Sequence, residues 1–118
     1  MRPRVVRAGV LMAVLAGALP AGAHAILLQA TPAPNGTVDG PDVKVVLKFN
    51  SRIDAKRSQI TIVLPDGSSK VLTNGTSDPP DTLSAEGRGF APGAYRLKWQ
   101  ALSSDGHITR GEHPFSVK

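Results

Sequence analysis

From residue 24 to the C-terminus, apolar and polar side chains alternate with a period of two. The pattern is plainest in VKVVLKF (Val43 to Phe49), QITIVL (Gln59 to Leu64) and AYRLKWQAL (Ala94 to Leu102). Successive side chains of an extended chain point to opposite faces, so this alternation predicts strands with one face buried and the other wet. The same runs are rich in β-branched and aromatic residues, which suit a pleated surface. Between them fall Pro34-Asn35-Gly36, Asp39-Gly40-Pro41, Pro65-Asp66-Gly67, Asn74-Gly75, Pro79-Pro80 and Pro92-Gly93. Each supplies a fixed φ or a readily adopted positive φ, and so ends a strand.

About seven strands result, near 26–30, 43–49, 58–64, 69–73, 81–84, 94–101 and 111–117, and no stretch carries helical periodicity. The expected fold is all-β, an immunoglobulin-like β-sandwich. Trp99, Tyr95, Phe49 and Phe115 are its expected core anchors, with Leu97 and Val117 beside them. Asn35-Gly36-Thr37 and Asn74-Gly75-Thr76 match a glycosylation acceptor pattern but are read as turns, and 74–80 as a loop.

The first 23 residues, MRPRVVRAGVLMAVLAGALPAGA, follow another plan: Arg2, Arg4 and Arg7, an apolar run from Ala8 to Leu19, then Pro20 and small residues. That is the layout of a secretory signal peptide, with Ala21 and Ala23 at the two positions that signal peptidase reads. An uncleaved anchor is the alternative, but the apolar run is shorter than the about 20 residues that span a bilayer. Residues 1–23 are therefore expected to be removed, leaving one domain, 24–118, of 95 residues with His24 as its first.

Removal of the leader changes the charge picture. Three of the 14 Lys and Arg leave with it, so the exported chain has 11 against nine Asp and Glu, a net charge of +2. The isoelectric point near 10.1 of the whole chain thus points to no nucleic-acid partner, and the remaining cations are scattered among acids. There is no cysteine, and both methionines, Met1 and Met12, lie in the leader. Disulfides, thiolate metal sites and Cys nucleophiles are excluded, and any metal must accept nitrogen and oxygen donors.

The remaining chemistry lies in His24, His107 and His113, and in Asp105 within Ser103-Ser104-Asp105-Gly106-His107. Asp105 and His107 are two apart, so in an extended segment both reach the same side, with Gly106 allowing the backbone to bend. Asp-Gly-His is also an ordinary turn, and taken alone it reads as one. A terminal His24 weighs on the other side, because its α-amine and imidazole can chelate one ion without help from the fold. With His107 and Asp105 it makes a set of three nitrogens and one oxygen suited to tetragonal Cu(II); zinc could use the same donors in a tetrahedron. His113 shares parity with Phe115 and Val117, which places it at the core edge, whereas Glu112 faces solvent.

Over essentially the whole exported chain the sequence resembles the CopC family of periplasmic copper-binding proteins. The resemblance rests on His24-Ala25 after the leader, Thr31-Pro32-Ala33, Asn35-Gly36 and Leu47-Lys48-Phe49. Its most specific part runs from Pro92-Gly93-Ala94-Tyr95-Arg96-Leu97-Lys98-Trp99 through Ser103-Ser104-Asp105-Gly106-His107 to Gly111 and Phe115-Ser116-Val117. It implies a small β-sandwich that binds one Cu(II) through His24, Asp105 and His107. It also implies a periplasmic carrier or sequestering protein for copper resistance or homeostasis, extracellular or in the cell envelope if the organism lacks an outer membrane. The implied partner is an inner-membrane copper transport protein of the CopD type, and the carrier is expected to be a monomer. Two features depart from the family. The region around Leu64-Pro65-Asp66-Gly67 lacks the Met- and His-rich Cu(I) loop of some members, and Asn50-Ser51-Arg52 stands where others carry an acid after the second-strand Phe. Two other functions stay open at this stage. One is a copper-dependent oxygenase with an N-terminal His, disfavoured by only five aromatic residues, most of them needed in the core; the other is a metal-free interaction module.

Overall fold

The computed structural model describes residues 25–75 and 79–118. The leader 1–23, His24 and Thr76 lie outside the described residues. Eight strands follow in order: β1 (Leu27–Thr31), β2 (Gly36–Val38), β3 (Val43–Phe49), β4 (Gln59–Val63), β5 (Ser69–Asn74), β6 (Thr82–Gly87), β7 (Gly93–Leu102) and β8 (Ile108–Val117). A single 3₁₀ turn, Ala55–Arg57, is capped by the Asp54 carboxylate, which accepts from the Lys56 and Arg57 N–H groups. The strands hydrogen-bond in the order β1-β3-β6-β5-β4-β7-β8-β2. One layer is β1-β3-β6 and the other β4-β7-β8-β2, while β5 serves both, pairing with β4 along Ser69–Leu72 and with β6 at Thr73 and Asn74. This is the expected immunoglobulin-like sandwich.

The alternation read from the sequence is the burial pattern of the layers. In β3, Val43, Val45, Leu47 and Phe49 are buried and Lys44 and Lys48 exposed. In β7, Tyr95, Leu97, Trp99 and Ala101 face inward. Phe49, Phe115, Leu97, Ile60, Ile62 and Leu83 are completely enclosed, and every expected anchor lies in the core. Tyr95 stacks on Phe115 and meets Phe90 edge-on, each at 5.6 Å between ring centroids. Its hydroxyl donates to the Ala91 carbonyl at 2.6 Å, the backward hydrogen bond of a tyrosine corner.

Three differences from the expected strands have local causes. The eighth strand, β2, is three residues long and pairs parallel with β8, Gly36 opposite Phe115, after Asn35 turns the chain at φ 61°. A segment that short cannot display alternation. β6 and β8 run further than expected, β6 on to Gly87 and β8 back to Ile108. The added part of β6 ends at Gly87, where a Cβ would overlap Phe90; the added part of β8, Ile108 to Arg110, has no buried residue and abuts Gly111, where a Cβ would overlap the Trp99 indole. Asn74, read as loop, closes β5, and its side-chain amide donates to Ala55 O and Ser58 O.

Candidate metal centre

Three segments meet at the end of the sandwich where β7 turns into β8. They are the start of the described chain at Ala25 and Ile26, the link 50–53 after β3, and the hairpin turn 103–107. Ile53 bridges Ser103, the Ser104 N–H donates to Arg52 O at 3.0 Å, and the Asp54 N–H donates to Leu102 O at 2.8 Å. The Asn50 N–H donates to Ile26 O at 3.0 Å, and the Thr109 hydroxyl donates to Ala25 O at 3.0 Å.

Inside the turn, the Ser103 N–H donates to His107 O and the Gly106 N–H to Ser103 O, both at 2.9 Å. Gly106 has φ +91°, a left-handed conformation that a side chain would strain. Asp105 Oδ1 accepts the His107 N–H at 3.1 Å, so the carboxylate does the work of a backbone carbonyl, as in an Asx turn. The Ser103 hydroxyl donates to the same oxygen. The sequence offered a turn or a pair of converging side chains, and the structure has both: the turn itself brings Asp105 Oδ1 to 3.2 Å from His107 Nδ1. Convergence comes from the left-handed glycine rather than from strand alternation.

Charge and access follow from these bonds. The Ser103 hydroxyl above all, then the His107 N–H, hold the Asp105 carboxyl down to about 2, so it is anionic throughout the neutral range. The side chains of His107 and Asp105 are 49% and 44% exposed, open to a solvated ion. Ser103 beneath them is buried. A hollow of about 510 Å³ on the outer face of β4, β7 and β8 has Thr61, Lys98, Gln100 and Arg110 among its walls, but neither Asp105 nor His107. The pair therefore stands on an open turn, not in that hollow.

The other candidates are placed as follows. No three His, Cys, Asp or Glu converge among the described residues; Asp105 and His107 stand as a pair, and His24 lies outside those residues. His113 is buried against Trp99, ring centroids 5.4 Å apart, and its Nε2 lies 2.9 Å from Pro32 O. A carbonyl only accepts, so Nε2 carries the proton and ties β8 to the β1–β2 connection. His113 lies five positions along β8 from Ile108, about 17 Å of strand, which removes it from the turn at 103–107. Glu112 is exposed as expected and paired with Arg96 at 2.6 Å. In the region of the missing Cu(I) loop, Asp66 binds the N–H and hydroxyl of Ser68 at 2.9 and 2.6 Å in a tight turn. Sequence reasoning missed Asn50 and Thr109, which hold the chain start. The available signal was a side chain able to bond backbone at the position just past β3.

Comparison with known proteins adds the following. The family model described as "CopC domain" matches residues 27–118. The protein YobA of Escherichia coli K12 is 30% identical over 99 residues, covering 81% of this chain and 80% of that protein. Copper resistance protein C of Pseudomonas syringae pv. tomato is 28% identical over 119 residues, covering 94% and 90%. Among solved structures, the crystal structure of CopC from Methylosinus trichosporium OB3b superposes with a TM-score of 0.71 at 32% identity, covering 80% of this chain and 94% of that one.

Proposed function

The chain belongs to the CopC family, and from that premise we propose that it is a periplasmic protein that holds one Cu(II) and carries or sequesters it for copper resistance or homeostasis. Binding, not catalysis, is its task. The ion sits between the α-amine and imidazole of His24, exposed as the first residue once 1–23 are removed, and the side chains of His107 and Asp105. An inner-membrane copper transport protein of the CopD type receives or supplies the copper, and the carrier is a monomer.

One observation carries this reading. A preformed turn presents Asp105 Oδ1 and His107 Nδ1 3.2 Å apart, and the chain enters the fold at Ala25, bonded to Thr109 two residues beyond His107. Neighbouring donors around an ion at roughly 2 Å bond lengths are about 3 Å apart, so the pair has the spacing of two adjacent ligands. The donor chemistry agrees: nitrogen and carboxylate oxygen with no sulfur suit Cu(II) better than Cu(I).

The test uses the exported protein. Its intact mass should begin at His24, and Cu(II) titration followed by electron paramagnetic resonance should give one type 2 centre rich in nitrogen. Adding one Gly before His24 keeps every side chain but moves the α-amine, and should lower affinity by orders of magnitude. Two equal sites, no site, or an extended form that binds as the parent does would reject the assignment.

A further inference from the structure

The peptide unit between Ala25 and Ile26 is held at both of its polar ends. Its oxygen, Ala25 O, accepts from the Thr109 hydroxyl at 3.0 Å, and its hydrogen, on Ile26 N, is donated to Asn50 Oδ1 at 2.8 Å. The two holders come from opposite layers, Thr109 from β8 and Asn50 from the end of β3. A peptide unit is planar, so fixing its oxygen and its N–H fixes the plane and the Cα atoms at its corners. Only the two dihedral angles of Ala25 then separate that fixed plane from the residue before it.

The Asn50 contact replaces a broken ladder step. Leu27 faces Phe49 in the β1–β3 ladder, so Ile26 and Asn50 are the next pair. The Asn50 N–H does donate to Ile26 O at 3.0 Å. At residue 50 the backbone leaves toward 51–53, and the Asn50 side-chain carbonyl takes the place its main-chain carbonyl would have filled. Apolar burial adds little here, because Ile26 is 57% exposed and the buried Ala25 has only a methyl group to enclose. What holds the chain start is hydrogen bonding, and one of the holders stands two residues after His107.

We infer that Asn50 and Thr109 form a clasp that fixes the start of the exported chain beside the 103–107 turn and thereby sets how tightly and how long the copper is held. Both are positioning residues. The inference rests on the assignment of His24 as a terminal ligand. A terminal residue joined to a fixed peptide plane through one residue has less freedom to lose when it closes on an ion, and that shows chiefly as slower release.

Thr109→Val keeps the shape and removes the hydroxyl, and Thr109→Ser restores it. Asn50→Ala removes the acceptor, and Asn50→Asp keeps one. In the copper-free exported protein, amide exchange at Ile26 should be slow in the parent and in Asn50→Asp, and fast in Asn50→Ala. Thr109→Val and Asn50→Ala should each release Cu(II) to a competing chelator about twofold to tenfold faster, with Thr109→Ser returning to the parent rate. The type 2 spectrum should persist, because no ligand has changed. If the parent is sensitive to the added Gly but both variants release copper at the parent rate, the clasp is refuted and the site stands. A parent indifferent to the added Gly brings down the site assignment, and the clasp with it.

Discussion

At the end of the sandwich where Gly93 pairs with Val117, Phe90, Tyr95 and Phe115 pack ring against ring; at the other, hydrogen bonds join Thr109 to Ala25, Ile26 to Asn50 and Ser103 to Asp105. Apolar packing is non-directional and scales with the area removed from water, so the first end stabilises without fixing any one donor atom. Hydrogen bonds contribute less apiece but set positions, and they do so at the surface, where the Asp105 and His107 side chains stay about half exposed. A site that exchanges an ion with solvent belongs on the second kind of scaffold. Substitutions at the ring end should therefore move melting and spare copper, and those at the hydrogen-bonded end should do the reverse.

The hardest test of that division is Phe115→Ala. Phe115 is 2% exposed and stacked on Tyr95, and truncating a core Phe costs about 3–5 kcal/mol. In a domain of this size that lowers the melting temperature by about 12 °C or more, read by circular dichroism. Copper bound per folded molecule should equal that of the parent. A drop of less than about 5 °C, or loss of copper from the folded fraction, would break the comparison.

Gly111→Ala probes the middle of the same hairpin. The Trp99 indole lies where the new methyl would go, so the ring must shift, and overpacking of this kind costs about 1–3 kcal/mol. Melting should fall by less than in Phe115→Ala, and Trp99 fluorescence should change while copper release does not. An unaltered melting temperature would mean that the ring yields without cost, and that Gly111 answers to something other than Trp99.

Much of this was legible in the sequence, and the boundary between legible and hidden is physical. Val43 to Phe49 and Ala94 to Leu102 declare themselves because one of their faces is apolar and the other charged. The extension of β6 was hidden because Gly87 shows no side chain, its place being taken by Phe90, and that of β8 because none of Ile108, Thr109 and Arg110 is buried and no apolar face marks them. In the candidate site, the approach of Asp105 to His107 could be read because two side chains flanking one glycine can converge. Asn50 and Thr109 could not, because each acts on a backbone group 24 or 84 residues away, and no local pattern records such a partner. Ser103 stands in the same motif, but its hydroxyl reaches the Asp105 carboxylate only through the folded turn, which the residue type alone does not reveal.

The smallest effect, and the one that speaks most directly to the hydrogen-bonded end, concerns pH. The Asp105 carboxyl is held at about 2, below its ordinary value of 3.8, with the Ser103 hydroxyl as the leading cause and the His107 N–H next. A depressed carboxyl stabilises the fold in its ionised form, so its contribution is complete above 3.8 and is lost as pH falls from there through about 2. Between pH 5 and 7 Asp105 keeps its charge and adds no slope to copper binding. On the proposed ligation, the slope in that range comes from protons that the ion displaces from nitrogen. Accordingly, His107→Ala should flatten the pH dependence of Cu(II) affinity, and Asp105→Asn should lower the affinity with the slope preserved. Removing the leading donor by Ser103→Ala should raise the Asp105 midpoint toward 3.8, followed by carboxyl carbon resonances in the copper-free protein. If the parent itself titrates near 3.8, the turn does not grip the carboxylate, and the polar end holds its donors no more firmly than an unstructured loop would.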